Sequence, residues 1–294
     1  MYSVPQASAD LFGAIIFDRM TLARDLLQQC ERLLDGAARF CLYTRAALTP
    51  LSEVRKGIIA SWNDFIPDER DIGAGLAWWE RDVADRYVKP HDRVLVIGCG
   101  SGRDLASLVE RGCTVTGIDP APRALARAAD FLQARGRTAA LECAFFEDWP
   151  RDEVFDVVWF SWFVYGYVPD SRRRIAMLKK AGRNLSPGGV LVLSYPINPP
   201  RSRAASLARA AQRLWRNDWA LEEGDVIGPV RNTGTFSYEH RFTREEIEKE
   251  TRAAGFYVEW LGEPIVVLRA AAAADATHAR TGDQRRVASV SVRP

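Results

Sequence analysis

The stretch Val94-Leu95-Val96-Ile97-Gly98-Cys99-Gly100-Ser101-Gly102, with Ile118-Asp119 after it, constrains this chain more than any other feature. An apolar run ends in alternating glycines, and a second apolar run ends in an aspartate. Where a strand turns into a helix, such glycines let the backbone approach a ligand closely. A carboxylate closing the next strand accepts hydrogen bonds from the two hydroxyls of a ribose. A tight turn alone accounts for one glycine more easily than for three, and it leaves Asp119 unexplained. The pattern predicts a nucleoside-binding crevice at the carboxyl end of a parallel sheet.

The rest of the chain fits such a sheet. Val94–Ile97, Thr114–Ile118, Ala139–Cys143, Phe155–Phe160 and Val190–Ser194 read as strands. Between them lie helices at about Arg103–Glu110, Arg123–Ala134 and Arg172–Asn184. This alternation predicts an α/β fold, doubly wound and mostly parallel, with right-handed crossovers. Thr243-Arg244-Glu245-Glu246 is a capping box that opens a further helix, and Phe256–Leu261 with Ile265–Leu268 finishes the sheet. Residues 1–88 read as a helical cap or extension rather than a second sheet. In it Leu22, Leu26, Leu27, Cys30, Leu33 and Leu34 recur at helical spacing, and Pro50 and Pro67 act as breaks. Residues 89–268 form the predicted main domain. Within it 196–234 interrupts the rhythm as an insertion or lid, with an amphipathic helix near Ser202–Trp215, and a strand at Thr235–Arg241 follows it. Residues 269–294, rich in alanine, arginine and small polar residues, read as a disordered tail.

Charge and cysteine usage narrow the partners. The 294 residues carry 40 basic and 38 acidic side chains, a formal net charge of +2, which makes no electrostatic case for a nucleic-acid partner. No run approaches the roughly 18 apolar residues of a membrane span. Cys30, Cys41, Cys99, Cys113 and Cys143 are scattered, odd in number and apart from His91, His240 and His278. Neither a metal site nor a disulfide framework is supported, and a reducing cytoplasm suits the chain best. The expected partner is a small molecule, and the N-terminal helices offer a surface for a homodimer.

The spacing also selects the nucleoside. A dinucleotide site uses G-x-G-x-x-G, whereas here Arg103 stands where the last glycine belongs. Asp104, at the start of the following helix, repels a phosphate but accepts from an ammonium group. A ligand with a ribose, an adenine and an amino-acid end suits this loop, and S-adenosylmethionine is that ligand. A nicotinamide-dependent oxidoreductase is the rival that the missing spaced glycine disfavours.

Residues from about 93 to 262 resemble the class I S-adenosylmethionine-dependent methyltransferases. The resemblance rests on the 94–102 loop, Gly117-Ile118-Asp119, Phe155-Asp156-Val157-Val158, Leu185-Ser186-Pro187-Gly188-Gly189, and His240-Arg241-Phe242-Thr243 with Ala254-Gly255-Phe256. It implies the seven-stranded Rossmann-like methyltransferase sheet with the N-terminal helical extension. It also implies that Gly98, Cys99, Gly100 and Gly102 face the cofactor and that Asp119, followed by Pro120, takes the ribose. Two positions depart from the family pattern. Val96 replaces an acid that helps hold the methionine ammonium, and Asp104 is the candidate replacement, against the plainer reading of a helix N-terminal acid. Phe145 stands where an acid often flanks the adenine; Phe145 or Phe146 either packs on the adenine face or belongs to the core.

Methyl transfer requires alignment and exclusion of water, and a base only where the nucleophile must lose a proton. The aromatic run Trp159–Tyr167 suits an apolar or aromatic acceptor, a cation–π wall around a sulfonium, or core packing. Within it Ser161 and Trp162 are candidates to line the cofactor, and Tyr165 to face the acceptor. His240 is the candidate base, with Tyr195 and Glu239 as rivals and a structural histidine as the alternative. Arg201, Arg203, Arg209, Arg213 and Arg216 read as a solvated helix face or as a lid meeting an acidic substrate. The expected function is methyl transfer to an oxygen or nitrogen of a small molecule. The alternatives are a non-catalytic cofactor-binding or regulatory protein of the same fold, and a protein or RNA methyltransferase, which would want a basic bias that is missing.

Overall fold

A computed structural model describes the backbone of residues 6–271 other than 66, 201, 216 and 231–233, with side chains from residue 21 onward except that of Glu69. Helices α1 (Gln6–Leu48), α2 (Leu51–Asp64), α3 (Glu69–Gly73) and α4 (Trp78–Tyr87) precede the first strand. Pro50 separates α1 from α2, because proline lacks the N–H that would continue the helix. Then follow β1 (Arg93–Ile97), α5 (Arg103–Glu110), β2 (Thr114–Asp119), α6 (Pro122–Gln133), β3 (Ala140–Cys143), β4 (Phe155–Phe160), α7 (Ser171–Arg183) and β5 (Leu185–Ser194). After β5 come α8 (Arg203–Gln212), β6 (Asp225–Pro229), β7 (Phe236–His240), α9 (Arg244–Ala253), β8 (Phe256–Leu261) and β9 (Ile265–Ala270).

The seven-stranded sheet runs β3-β2-β1-β4-β5-β9-β8, parallel through β5, with β9 antiparallel to both its neighbours. Strand order reverses between β1 and β4, so the carboxyl ends of those strands open a crevice, the usual ligand position in such sheets. Alternation along the strands builds two cores. Val94 and Val96 face one layer with Leu105, Ala128, Val157 and Trp159. Leu95 and Ile97 face the other with Val158, Phe160, Leu178 and Ile247. Side chains alternate across a strand, which is why strands buried on both faces read as continuous apolar runs.

The described elements of residues 6–88 are all helices, and the strands that pack on them come from later in the chain. β6 and β7 form a separate antiparallel pair outside the main sheet. They pack with the end of α1, with α2 and with α8, burying Tyr43, Val54, Ile58, Trp219, Phe236 and Tyr238. The last carbonyls of α1 would otherwise be orphaned. Asn217 Nδ2 donates to Ala47 and Thr49 oxygens at 2.8 and 3.0 Å, and Trp219 Nε1 donates to Thr49 oxygen at 2.8 Å. The N-terminal segment and the insertion are thus two halves of one subdomain. β9 extends to Ala270, beyond the start of the expected tail; residues 272–294 lie outside the described residues, as do Arg201 and Arg216.

Candidate active site

A cavity of about 600 Å³ lies between the crevice and the cap. Gly98, Cys99, Gly100, Asp119, Pro120, Phe145, Phe146, Ser161 and Trp162 line it on the sheet side. The structure brings these expected residues together from the ends of β1, β2, β3 and β4.

The glycine loop is shaped by contact and by backbone angle. Gly98 has φ +74°, and a Cβ there would meet Val164 Cγ2 at 2.5 Å, so a side chain is excluded twice over. Gly100 has φ +51° and nothing within 4 Å of where its Cβ would stand, which leaves its backbone open to the cavity. Gly102 is not part of the wall; it packs against Ala128 of α6. Asp119 Oδ2 accepts from Gly100 N–H at 2.9 Å and Oδ1 from Ala121 N–H at 2.8 Å. Burial raises its pKa above the ordinary value while those two N–H groups hold it down. Each oxygen retains a lone pair for one ribose hydroxyl. An open loop and a half-satisfied carboxylate at the cavity wall fit S-adenosylmethionine.

Beside β3, the Arg55 guanidinium lies 4.5 Å over the Phe145 ring and is anchored by Asp148 at 2.8 Å and Glu147 at 3.4 Å. Phe146 is buried against Trp149 and Phe160, so it serves the core and the wall together.

Asp104 is placed differently from the expectation. It does not line the cavity. Its carboxylate is 0% exposed and accepts from Arg103 Nε at 2.7 Å and from Trp159 Nε1 at 3.1 Å. Trp159 pairs in register with Val96, so a carboxylate does stand over the strand face where the acid is missing, but it is occupied. Arg103 is the residue that reaches the wall. It donates to Glu80 Oε1 at 2.6 Å, and its guanidinium lies 4.4 Å over the Trp162 ring. Burial and the neighbouring Asp104 carboxylate push Glu80 up to about 8.

Trp162 (φ 25°) and Phe163 (φ 62°) hold backbone angles that L residues rarely adopt. Each costs on the order of 1–3 kcal/mol. The conformation is held by the Phe163 N–H donating to Ser194 Oγ at 2.9 Å and by Trp79 stacking on both rings, with centroids at 6.2 and 5.9 Å.

The candidate catalytic residues are elsewhere. Tyr165, Tyr195 and His240 are all buried, and none lines the cavity. The Tyr165 hydroxyl donates to Glu250 Oε2 at 2.6 Å, and burial lifts its pKa well above the ordinary value. Tyr195 packs edge-on against Phe242, and burial raises it too. His240 Nδ1 donates to Asp225 Oδ1 at 2.6 Å and Nε2 donates to Glu246 Oε1 at 3.0 Å. Burial opposes its charge, but the two carboxylates outweigh it and hold the pKa at about 9. Buried, bonded to two carboxylates and away from the cavity wall, the His240 ring is placed to tie β7 to its neighbours rather than to meet a ligand in this cavity. Glu239 is paired with Arg241 at 2.7 Å.

Several wall residues were not anticipated. From the cap come Ile58, Trp62, Phe65, Ile72, Leu76 and Arg81; from the end of β4 and α7 come Tyr167, Val168, Arg173 and Met177. Tyr167, two residues past the expected Tyr165, is the tyrosine at the cavity. Glu80 sits three residues after Ala77, whose N–H it binds at 2.7 Å, and that helix-start spacing was its only sequence signal. Among the described residues no cluster of histidine, cysteine or carboxylate side chains is arranged to hold a metal ion, and no helix is long and apolar enough to cross a membrane.

Comparison with known proteins agrees with this geometry. A family described as "Methyltransferase domain" matches residues 71–260. The chain is 29% identical over 149 residues to a cypemycin N-terminal methyltransferase from Streptomyces sp, covering 50% of this chain and 58% of that one. It is 29% identical over 167 residues to a ubiquinone biosynthesis O-methyltransferase from Rhizobium leguminosarum bv. trifolii, covering 56% and 59%. The match therefore spans under two thirds of either relative. Among solved structures, an S-adenosylmethionine-dependent methyltransferase from Methanosarcina mazei superimposes with a TM-score of 0.53 at 22% identity, over 67% of this chain and 99% of that one. The DhpI–SAH complex gives 0.52 at 17% identity, over 75% and 98%.

Proposed function

The chain belongs to the class I S-adenosylmethionine-dependent methyltransferases, and from that premise we propose that it transfers the methyl group to an oxygen or nitrogen of a small-molecule acceptor. The observation that carries this reading is the continuity of one cavity, from the glycine loop and Asp119 to an apolar half walled by Ile58, Trp62, Tyr167, Val168 and Met177.

S-adenosylmethionine, when bound, supplies an activated methyl on a sulfonium. The protein's share is to bind, orient and exclude water. Asp119 and the Gly100 backbone would hold the ribose, Phe145 and Phe146 would flank the adenine, and Ser161 with Trp162 would form the wall between cofactor and acceptor. Glu80 and Asp104 fix Arg103 so that its guanidinium lies on Trp162. The acidic wall residues are engaged, Glu147 with Arg55 and Asp71 with the Asp68 N–H. None of the expected bases Tyr165, Tyr195 and His240 reaches the wall, which favours rate enhancement by position and desolvation and an acceptor that offers an available lone pair.

In this reading the cap closes over the acceptor; the near-neutral net charge supports a small-molecule rather than a nucleic-acid partner, and the scattered cysteines support a cytoplasmic setting. The exposed Leu22, Leu26, Leu27, Leu33 and Leu34 on α1 suit a helix pairing between two copies. Sedimentation tests the pairing: Leu26→Glu with Leu33→Glu is expected to give monomer where the parent chain gives dimer.

Calorimetric titration with S-adenosylhomocysteine tests the cofactor assignment. Asp119→Ala is expected to weaken binding at least tenfold, about 1.4 kcal/mol; unchanged affinity would sink the ribose assignment. Methyl-labelled cofactor with a metabolite extract tests transfer. Tight binding without label in any product favours the non-catalytic alternative.

A further inference from the structure

We propose that the acceptor is a small apolar organic acid whose carboxylate is received by Arg173. This deepens the methyltransferase reading and rests on it.

The inference comes from charge accounting around the cavity. Arg55, Arg81, Arg103 and Arg173 all reach its wall. Arg55 is balanced by Glu147 and Asp148, and Arg103 by Glu80 and Asp104. The other two are not balanced. Arg173 Nη2 donates to the main-chain oxygen of Asp218 at 2.9 Å, while the carboxylate of Asp218 is turned away to accept from Leu51 N–H at 3.0 Å. The nearby Asp170 carboxylate is hydrogen-bonded to Arg172 and reaches Arg173 only through its field, with no hydrogen bond or ion pair between them. The Arg81 guanidinium has no hydrogen bond or ion pair among the described residues. Arg81 and Arg173 thus reach the wall with donors to spare and, among the described residues, no ion pair to a carboxylate, while the wall carboxylates Asp71, Asp119 and Glu147 are held by other groups.

Their places differ. Arg81 follows Glu80 on α4, and Glu80 grips Arg103 beside the glycine loop, so Arg81 would be available to the amino-acid end of a bound cofactor. Arg173 stands in the first turn of α7, beyond the end of β4, sharing the wall with Tyr167, Val168, Pro169 and Met177. That is the apolar half. A guanidinium offers a planar fork of donors that matches a carboxylate, and such charge-assisted bonds strengthen where water is excluded. Aromatic and aliphatic walls around one such fork select an apolar body with a single anionic end. A neutral acceptor would leave that fork facing apolar surface with no anion to bind.

The test uses the full chain saturated with S-adenosylhomocysteine and ligand-observed NMR. The probes are 3-phenylpropionate, 4-hydroxyphenylacetate and octanoate, each paired with its amide. At least one acid is expected to bind tenfold or more above its amide. Arg173→Gln is expected to bring that acid down to the amide's level while S-adenosylhomocysteine affinity stays within twofold, and Arg173→Lys to restore part of the preference. Equal binding of acid and amide, an acid preference that survives Arg173→Gln, or no binding by any of the acids overturns the proposal. Failure of S-adenosylhomocysteine itself to bind is a separate result: it strikes the methyltransferase reading and takes the acceptor assignment down with it.

Discussion

Two clusters in this protein share one plan, an arginine between two carboxylates, and differ in what the arginine can still do. Arg174 is 0% exposed; it meets Glu222 at 2.6 Å and Glu250 at 2.7 Å, and its guanidinium lies 5.1 Å from the Phe242 ring. Around it Tyr165, Tyr238, His240, Asp225 and Glu246 close a sealed network that ties α7 and α9 to the β6–β7 pair. Arg103 meets Glu80 and Asp104 but keeps 22% of its side chain open, with one face on Trp162 and an edge on the cavity. In the first network the arginine itself is fully covered and only the carboxylates Glu222 and Glu246 keep a partly open edge, which gives rigidity. The open one holds its arginine still while leaving surface for a ligand. Residues of titratable type gather in both, so the presence of His240 and Tyr165 near the carboxyl end of the sheet says little about chemistry until their partners are counted.

The contrast can be broken by experiment. The largest expected effect is Arg174→Ala, which strands Glu250 at 3% exposure. It should lower unfolding free energy in urea by about 3–5 kcal/mol, the usual consequence of removing one partner of a buried pair. A loss below 1 kcal/mol would show that the network is not sealed.

Next is the pH response of His240. Its pKa of about 9 exceeds the free value of 6.5. Its stabilisation is therefore complete below pH 6.5 and drains away as pH rises through 9. Between pH 7 and 10 that amounts to about 2–3 kcal/mol. His240→Gln should flatten the curve by that amount relative to the parent chain, and parallel curves would contradict the charged assignment.

For the open cluster, Arg103→Met is expected to weaken S-adenosylhomocysteine binding about tenfold, or 1.4 kcal/mol. Its stability cost should be less than half that of Arg174→Ala and should shrink at acid pH, because Glu80, already pushed up, takes a proton readily. A stability loss equal to that of Arg174→Ala would erase the distinction. The baseline is a solvated pair: Arg39→Ala removes the contact with Asp35, where both side chains are 62% exposed, and should change stability by under about 0.5 kcal/mol.

Much of the fold is legible in the chain because its signals are local. The Val94–Ile97 run, the positive-φ glycines and Asp119 each act within one strand–turn–helix unit, and the expected order of strands follows from their alternation with helices. The strand at Thr235–Arg241 is legible, but its partner β6 and their pairing are not, since both strands are buried only against α1 and α2, far away in sequence. Side-chain direction is the other gap. Tyr165 and Tyr167 are equally good tyrosines on paper, yet a single turn of Val164–Tyr167 sends one to Glu250 and the other to the cavity. Asp104 was placed on the right element, but its partner Trp159 comes from another strand 55 residues away. Glu80 was missed because an acid near the start of a helix has an ordinary local explanation.

The two-part cap has a consequence for the chain's birth. Ala47 and Thr49 find Asn217 and Trp219 about 170 residues later. Ribosomes add roughly 5–20 residues per second. For on the order of ten seconds, then, the end of α1 waits with bare carbonyls and an uncovered apolar face while the glycine loop and the strands that bear it are already outside the ribosome. In the order of synthesis the crevice strands β1–β5 come before the second half of the roof, and β8 and β9, which complete the sheet, come after it.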